Sequence, residues 1–310
     1  MLSNMHEDFQ QVEWDERLED ELRAILASAI SEDLGRQGDL TTQALIPEDA
    51  PGRGELVARE SGIVAGLRGV RTILAAFDPR LPWSQLTGDG KPIEPGERLG
   101  ILEGPAHALL AAERTLLNIL GRLSGIATLT QRYVAAVQGT NARIYDTRKT
   151  TPGWRRLEKY AVRCGGGRNH RCGLNEAVLI KDNHLALGSR LCCGRGFTPD
   201  EAVRHARRYL QTVASERPIL VEIEVDDLQQ LDAVLTAGPD LILLDNMTPQ
   251  QLCQAVARRN ELNPGVELEA SGGVDLSTVR AIALSGVERI SIGAITKSAP
   301  ALDLGLDWLP

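Results

Sequence analysis

From residue 140 onward the chain repeats one pattern: a short apolar run of β-forming residues, a polar or glycine-bearing junction, then a stretch with helical periodicity. The runs are 142–146 (ARIYD), 177–181 (AVLIK), 219–225 (ILVEIEV), 241–245 (LILLD), 266–270 (VELEA) and 289–293 (RISIG). Helical segments such as 226–238 and 248–260 separate the later runs. Repeated β–helix units build a parallel sheet. Each run ends at residues fit for a site: Asp146 with Thr147, Arg148 and Lys149; Lys181; Glu224; Asp245 with Asn246; Ser271 with Gly272 and Gly273; Gly293. In an α/β barrel the strand C-termini converge on one mouth, where catalytic groups sit. Ordinary strand-to-loop polarity also gives polar ends, so an open sheet stays as the alternative.

The first part of the chain follows another grammar. Leu18, Leu22, Ile25, Leu26 and Ile30 predict a helix over 15–31. Gly35 and Gly38 demand a loop, residues 54–66 read as short strands broken by glycine, and prolines 79, 82, 92 and 95 mark turns. Residues 30–105 are therefore expected to form an α+β region, followed by a long helix over 108–137.

The 310 residues carry a net charge of −8, which argues against a general binder of nucleic acid. Aromatic residues are 4% of the chain, too few for a base-stacking platform. The acidic start has no apolar signal region and no uncharged run is long enough to span a bilayer. The five cysteines (164, 172, 192, 193, 253) follow no CxxC pattern. Reduced thiols in a cytoplasmic protein are the expectation.

Against this acidic background, residues 143–171 hold nine Lys/Arg (143, 148, 149, 155, 156, 159, 163, 168, 171) and His170, with only Asp146 and Glu158 opposing them. Such local excess marks either a solvated basic face or an anion site. Two details favour the site. Arg148 and Lys149 directly follow an apolar strand, and His170–Arg171 closely follow three glycines, where bare backbone lets a ligand approach. Arginine grips carboxylates and phosphates through paired hydrogen bonds. Glu224 and Asp245, at later strand ends, are oxygen donors suited to Mg²⁺ carried in with a phosphorylated substrate. The turns at Ser271–Gly272–Gly273 and Ser291–Ile292–Gly293–Ala294 open helical segments, an arrangement that cradles phosphate. Cys164, Cys172 and His170 fit no standard zinc spacing, and arginines beside them repel a cation.

Residues 146–184, DTRKTTPGWRRLEKYAVRCGGGRNHRCGLNEAVLIKDNH, closely resemble the central motif of the quinolinate phosphoribosyltransferase family. Further segments fall in family order, among them 32–47, 113–130, 222–235, 241–247, 269–274 and 291–308. The resemblance implies transfer of a phosphoribosyl group from phosphoribosyl pyrophosphate (PRPP) to quinolinate, with release of pyrophosphate and CO₂, in NAD biosynthesis. It implies Mg²⁺, an N-terminal α/β sandwich with an incomplete TIM-like (β/α) barrel, and a homodimer or larger assembly whose subunits complete each other's sites.

Residue by residue, the resemblance puts quinolinate at Arg148, Lys149, His170 and Arg171, with Thr147 beside them and Lys181 as a further basic residue. It makes Arg114 the arginine supplied across the dimer interface. Glu224 and Asp245 become the acids near ribose and metal, and Ser271–Gly273 and Ser291–Ala294 (Ser291, Gly293 and Ala294) the phosphate segments. Glu224, Asp245, Lys149 and Lys181 are the expected catalytic set. The implied domains are an extension at 1–14, the sandwich at 15–125, the barrel at 126–295 and a C-terminal segment, 296–310, packing back on the first domain. Departures are Asn175–Glu176, the unusual stretch 189–197 with Cys192 and Cys193, and the N-terminal dozen residues, expected to be a disordered or swapped extension. Rival readings are a homologue associated with molybdenum transport acting on another acceptor, a Schiff-base lyase using Lys149 or Lys181, and a non-catalytic anion-binding protein.

Overall fold

The structure, a computed structural model, describes residues 8–188, 196–215 and 218–309. Its strands are β1 (Pro51–Ala58), β2 (Gly62–Ile63), β3 (Trp83–Gln85), β4 (Pro92–Ile93), β5 (Arg98–Pro105), β6 (Arg143–Tyr145), β7 (Val178–Ile180), β8 (Val221–Val225), β9 (Leu241–Asp245), β10 (Glu267–Ser271), β11 (Arg289–Ser291) and β12 (Leu304–Trp308). The chain divides into two compact units that interleave in sequence. One comprises Met1–Gln10, Tyr133–Arg148 and Arg168–Gly293, the other Gln11–Arg132, Lys149–Gly167 and Ala294–Pro310. The stretch 294–310, close to the segment expected to pack back, groups with residues 11–132. Position 125 lies inside the single helix Ala106–Ala136, and residues 149–167 return to the unit that holds the N-terminal sheet.

That unit is built on an antiparallel sheet in the order β12–β1–β5–β3. Asp15 caps the helix Glu16–Leu34 by accepting from the Leu18 N–H at 2.8 Å, and Gly35 stops it with φ +50°. Leu18, Leu22 and Leu26 bury one stripe of that helix. In the helix Ala106–Ala136, Gly121 and Gly125 leave a groove filled by backbone. Leu302 N–H bonds the Gly121 carbonyl at 2.9 Å, and a Cβ on Gly125 would lie 1.9 Å from the Pro300 oxygen. Glu158, fully buried in the helix Arg155–Cys164, accepts from the Arg122 guanidinium (2.8 Å) and the Thr151 hydroxyl (2.8 Å), so its charge is paired and hydrogen-bonded.

The other unit is a six-stranded parallel sheet, β6–β11–β10–β9–β8–β7. Helices such as Pro199–Leu210, Leu231–Ala237 and Pro249–Leu262 alternate with the strands. Pro249 and a Thr248–Gln251 capping box start the last of these. Among the described residues β6 and β7 are edges, so the barrel is incomplete. The free side of β6 carries only a parallel bridge from Tyr145 to Arg168.

The sheet has unlike faces because side chains alternate along each strand. One face is apolar: Ile223, Ile242, Leu244, Leu268, Ala270 and Ile290 are all buried. The other is polar. Register aligns Glu224 with Leu243, Glu269 with Leu243 and Arg289, Ser271 with Asp245, and Ser291 with Tyr145. Arg289 is fully buried there, its Nε bonded to Glu267 and its Nη1 3.0 Å from Asp8. Arg143 donates to the same Glu267 at 2.6 Å. Asp8 and Phe9 thus belong to the body of this unit, and Phe9 is 5% exposed. The expected extension meets the described chain only from residue 8, and residues 1–7 lie outside the described residues. So do 189–195, with Cys192 and Cys193.

Two outcomes follow for stability. Alanine normally gains about 1 kcal/mol over glycine inside a helix. Gly125→Ala is expected instead to lose about 1–3 kcal/mol in urea unfolding, because the added methyl meets backbone that cannot step aside. Burial first, then Glu222, pushes the Glu269 carboxyl up to about 7, against the opposing pull of His170, Ser291 and Arg289. A carboxyl raised in the folded state binds protons more tightly there than when unfolded, so stability falls as pH climbs from about 4.5 to about 7 and is level above. Glu269→Gln removes that loss: its melting temperature relative to the parent chain should be higher at pH 8 than at pH 4.5. An offset independent of pH would refute the assignment.

Candidate active site

The C-terminal ends of the parallel strands gather most of the residues singled out by sequence. Asp146, fully buried just beyond β6, accepts from the Asn169 side chain at 2.6 Å and from the His170 N–H at 2.9 Å. With the Arg168 N–H on the Ile144 carbonyl (2.8 Å) and the Asp146 N–H on the Arg168 carbonyl (3.1 Å), this fixes segment 168–171 beside the strand. Thr147 and the exposed Arg148 follow directly.

His170 is 5% exposed. Its Nδ1 accepts the Arg171 N–H at 2.8 Å, so the ring proton sits on Nε2. Nε2 faces Glu222 at 3.0 Å and Glu269 at 3.6 Å. Both ring nitrogens therefore face groups of the chain itself. His170, which the resemblance assigns to quinolinate, thus lies against the buried Glu222 and Glu269, and its ring also supports the segment that carries Arg171.

Arg171 is 6% exposed and spends one N–H on the Ala177 carbonyl at 2.8 Å, while its Nε has no hydrogen-bond partner. Burial pulls its guanidinium below the usual range; Arg148 adds to that, and Glu222 and Glu176 oppose it. A buried cation beside a second cation is a costly arrangement that a bound anion relieves.

Lys181, at the end of β7, ion-pairs with Glu224 at the end of β8. Oxygens of Glu224, Asp226 and Asp245 lie within 4.8 Å of one another. Asn246 holds φ +53° and donates its side-chain N–H to Asp245 at 2.6 Å, while its backbone N–H bonds the Ser271 carbonyl at 2.8 Å. A Cβ on Gly272 (φ +86°) would lie 2.2 Å from the Asn246 side-chain oxygen, so the Ser271–Gly273 turn needs glycine to close against Asn246. Gly293 ends the same unit. Ser291 is 4% exposed.

Lys149 and Ala294 begin the stretches belonging to the other unit, where the Thr296 hydroxyl donates to the Lys149 carbonyl at 2.8 Å. Arg114 lies exposed on the helix Ala106–Ala136, also in that unit. His107 contacts the Ile46 carbonyl at 3.0 Å and His184 accepts the Lys181 N–H, both in structural roles. Sequence reading passed over Asp226, Glu222 and Glu269. The signal for the glutamates was available: Glu222–Glu224 and Glu267–Glu269 are two apart and must share a strand face.

The arrangement brings buried and exposed cations and a cluster of carboxylates to one end of one sheet, a setting for a polyanionic substrate with an oxygen-bound divalent metal. Comparisons agree with that chemistry. A model described as the quinolinate phosphoribosyl transferase C-terminal domain matches residues 126–307, and its N-terminal counterpart matches 39–124. The nicotinate-nucleotide pyrophosphorylase [carboxylating] of Mycobacterium leprae is 43% identical over 93% of this chain and 97% of its own length. A probable enzyme of that name from Bacillus subtilis is 39% identical, covering 93% of each chain. The solved nicotinate-nucleotide pyrophosphorylase of Francisella tularensis superposes with a TM-score of 0.87 at 34% identity, covering 97% of this chain and all of its own. Both domain models in chain order, full-length relatives and a cation-and-carboxylate strand mouth lead to one conclusion: the chain belongs to the quinolinate phosphoribosyltransferase family.

Proposed function

We propose that this chain is a cytoplasmic enzyme of NAD biosynthesis that transfers the phosphoribosyl group of PRPP to quinolinate, giving nicotinate mononucleotide, pyrophosphate and CO₂. The observation that carries the reading is Arg171, buried beside Arg148 with one N–H unpartnered. A carboxylate of a dianion such as quinolinate would meet the Arg171 Nε–H. Arg171, Arg148 and Lys149 hold the two substrate carboxylates and so orient the ring nitrogen.

That nitrogen forms a bond to ribose C1 as the C1–oxygen bond breaks and its electron pair leaves with pyrophosphate. Positive charge grows on the ribose meanwhile, and Glu224 and Asp245 are the carboxylates at the strand ends that stabilise it. Lys181 holds Glu224 in place through their ion pair. The Ser271–Gly273 turn and the Gly293–Ala294 turn offer N–H groups to phosphate. The bond to the 2-carboxylate then breaks, its electron pair stays on the ring carbon beside the new pyridinium, and that carbon takes up a proton. The donor set of Glu224, Asp226 and Asp245 is all oxygen, as Mg²⁺ requires, and Mg²⁺ held there would neutralise charge on the pyrophosphate group. A homodimer or larger assembly, with Arg114 serving the neighbouring subunit's site, completes the proposal.

Purified protein given quinolinate, PRPP and Mg²⁺ is expected to yield nicotinate mononucleotide with CO₂, while nicotinate in place of quinolinate yields none; no product from quinolinate overturns the assignment. In titration calorimetry Arg171→Ala should weaken quinolinate about 10- to 100-fold, the cost of a charge-assisted contact, and leave PRPP nearly unchanged. Equal weakening of both would refute this division of roles. Arg114→Ala and Asp245→Asn proteins, each inactive alone, should regain activity when their subunits are mixed. Persistent inactivity of the mixture would place Arg114 outside the neighbour's site.

A further inference from the structure

We infer that Asp8 and Phe9 form a strap that positions the His170–Arg171 pair, and hence sets the affinity for quinolinate; the inference rests on the function proposed above. Both strap residues precede the stretch matched by the family models, which begins at residue 39.

His170 is held at its backbone and at its ring: the Asp146 carboxylate accepts its backbone N–H, the Arg171 N–H meets ring Nδ1, and Glu222 faces Nε2. One face of the ring is covered by Phe9, whose own ring stacks on it with centroids 4.2 Å apart and planes inclined by 28°. Offset stacking of this kind contributes about 1 kcal/mol beyond the area it buries. Phe9 is itself held, because the Arg289 guanidinium lies 5.5 Å from its ring centre.

Asp8 grips the same segment from one residue further back. It accepts from Arg168 at 2.8 Å, from the Tyr145 hydroxyl at 2.9 Å and from Arg289 at 3.0 Å. Burial raises its carboxyl, yet Arg289, Tyr145 and Arg168 outweigh burial and leave it below the usual range. The strap therefore touches segment 168–171 twice, through the Arg168 side chain and the His170 ring. Arg171 follows in the chain and donates its own N–H to that ring. A shift of the imidazole moves the backbone of the buried arginine.

The test uses the full chain with Phe9→Ala, Phe9→Tyr and Asp8→Asn. Phe9→Ala should raise the KM for quinolinate about tenfold, the equivalent of one aromatic stacking contact, with the KM for PRPP within about twofold of the parent. Phe9→Tyr keeps a ring and should restore the parent value. Asp8→Asn should follow Phe9→Ala in direction. The His170 ring-proton resonance, assigned by comparison with His170→Gln, should shift in Phe9→Ala and return in Phe9→Tyr as the ring current is lost and regained. An unchanged quinolinate KM in Phe9→Ala, or equal changes in both KM values alongside a fallen melting temperature, overturns the proposal. The resonance needs no turnover, so a parent chain inactive on quinolinate would refute the proposed function while leaving the strap's contact with His170 separately measurable.

Discussion

A guanidinium without water around it needs its charge answered by the protein, and Arg289 imposes that condition on the parallel-sheet unit. Its position at the start of β11 fixes which residues answer. Glu267 comes from the adjoining strand β10, Asp8 from the chain's beginning, and the rings of Tyr145 and Phe9 lie under its face. Glu267 is shared with Arg143 and Asp8 with Arg168, so the charges form a chain of alternating sign along one sheet face. Alternating sign is what lets a polar interior close without orphaned charge. Elsewhere on the same face the sign balance changes. Glu222 and Glu269 sit close together with His170, and the outermost residues are the carboxylates and cations assigned to substrate.

The polar residues of this face thus divide into three groups. Glu267, Arg143 and Arg289 neutralise one another, Glu222 and Glu269 lie beside His170, and Glu224 and Asp245 stand near the ends of β8 and β9. The same backbone register serves all three, because neighbouring strands place their side chains in common rows. Asn246 shows how finely the last row is set. Its left-handed backbone, its bond to Asp245 and its closeness to Gly272 tie two strand ends into one local geometry.

Much of this was legible in the sequence. Apolar runs with polar ends gave the strands, since a buried parallel strand has few other ways to be written, and 241–245 was read to the residue. The basic stretch stood out because it opposed the charge of the whole chain. What escaped reading depended on facing. Glu222 and Glu269 look like solvent-exposed acids until the strand is known to be buried on both faces. Asp226 gains meaning only from its nearness to Glu224 and Asp245. Sequence did not show that the His170 ring nitrogens face Glu222 and the Arg171 N–H. The interleaving of the two units was hidden for a similar reason: residues 149–167 carry no boundary signal, and contacts such as the buried Glu158–Arg122 pair show which unit they belong to.

Strand β12 pairs along β1 from Gly54–Trp308 to Ala58–Leu304, joining parts of the chain about 250 residues apart. During synthesis the N-terminal sheet therefore lacks an edge until residues 304–308 have left the ribosome, and β1 spends nearly the whole elongation time with open hydrogen-bonding groups. The groove at Gly121 and Gly125 is filled just as late, by residues 300–302. The chain begins its first domain early and finishes it last, so chaperone binding to nascent β1 would have a long interval in which to act.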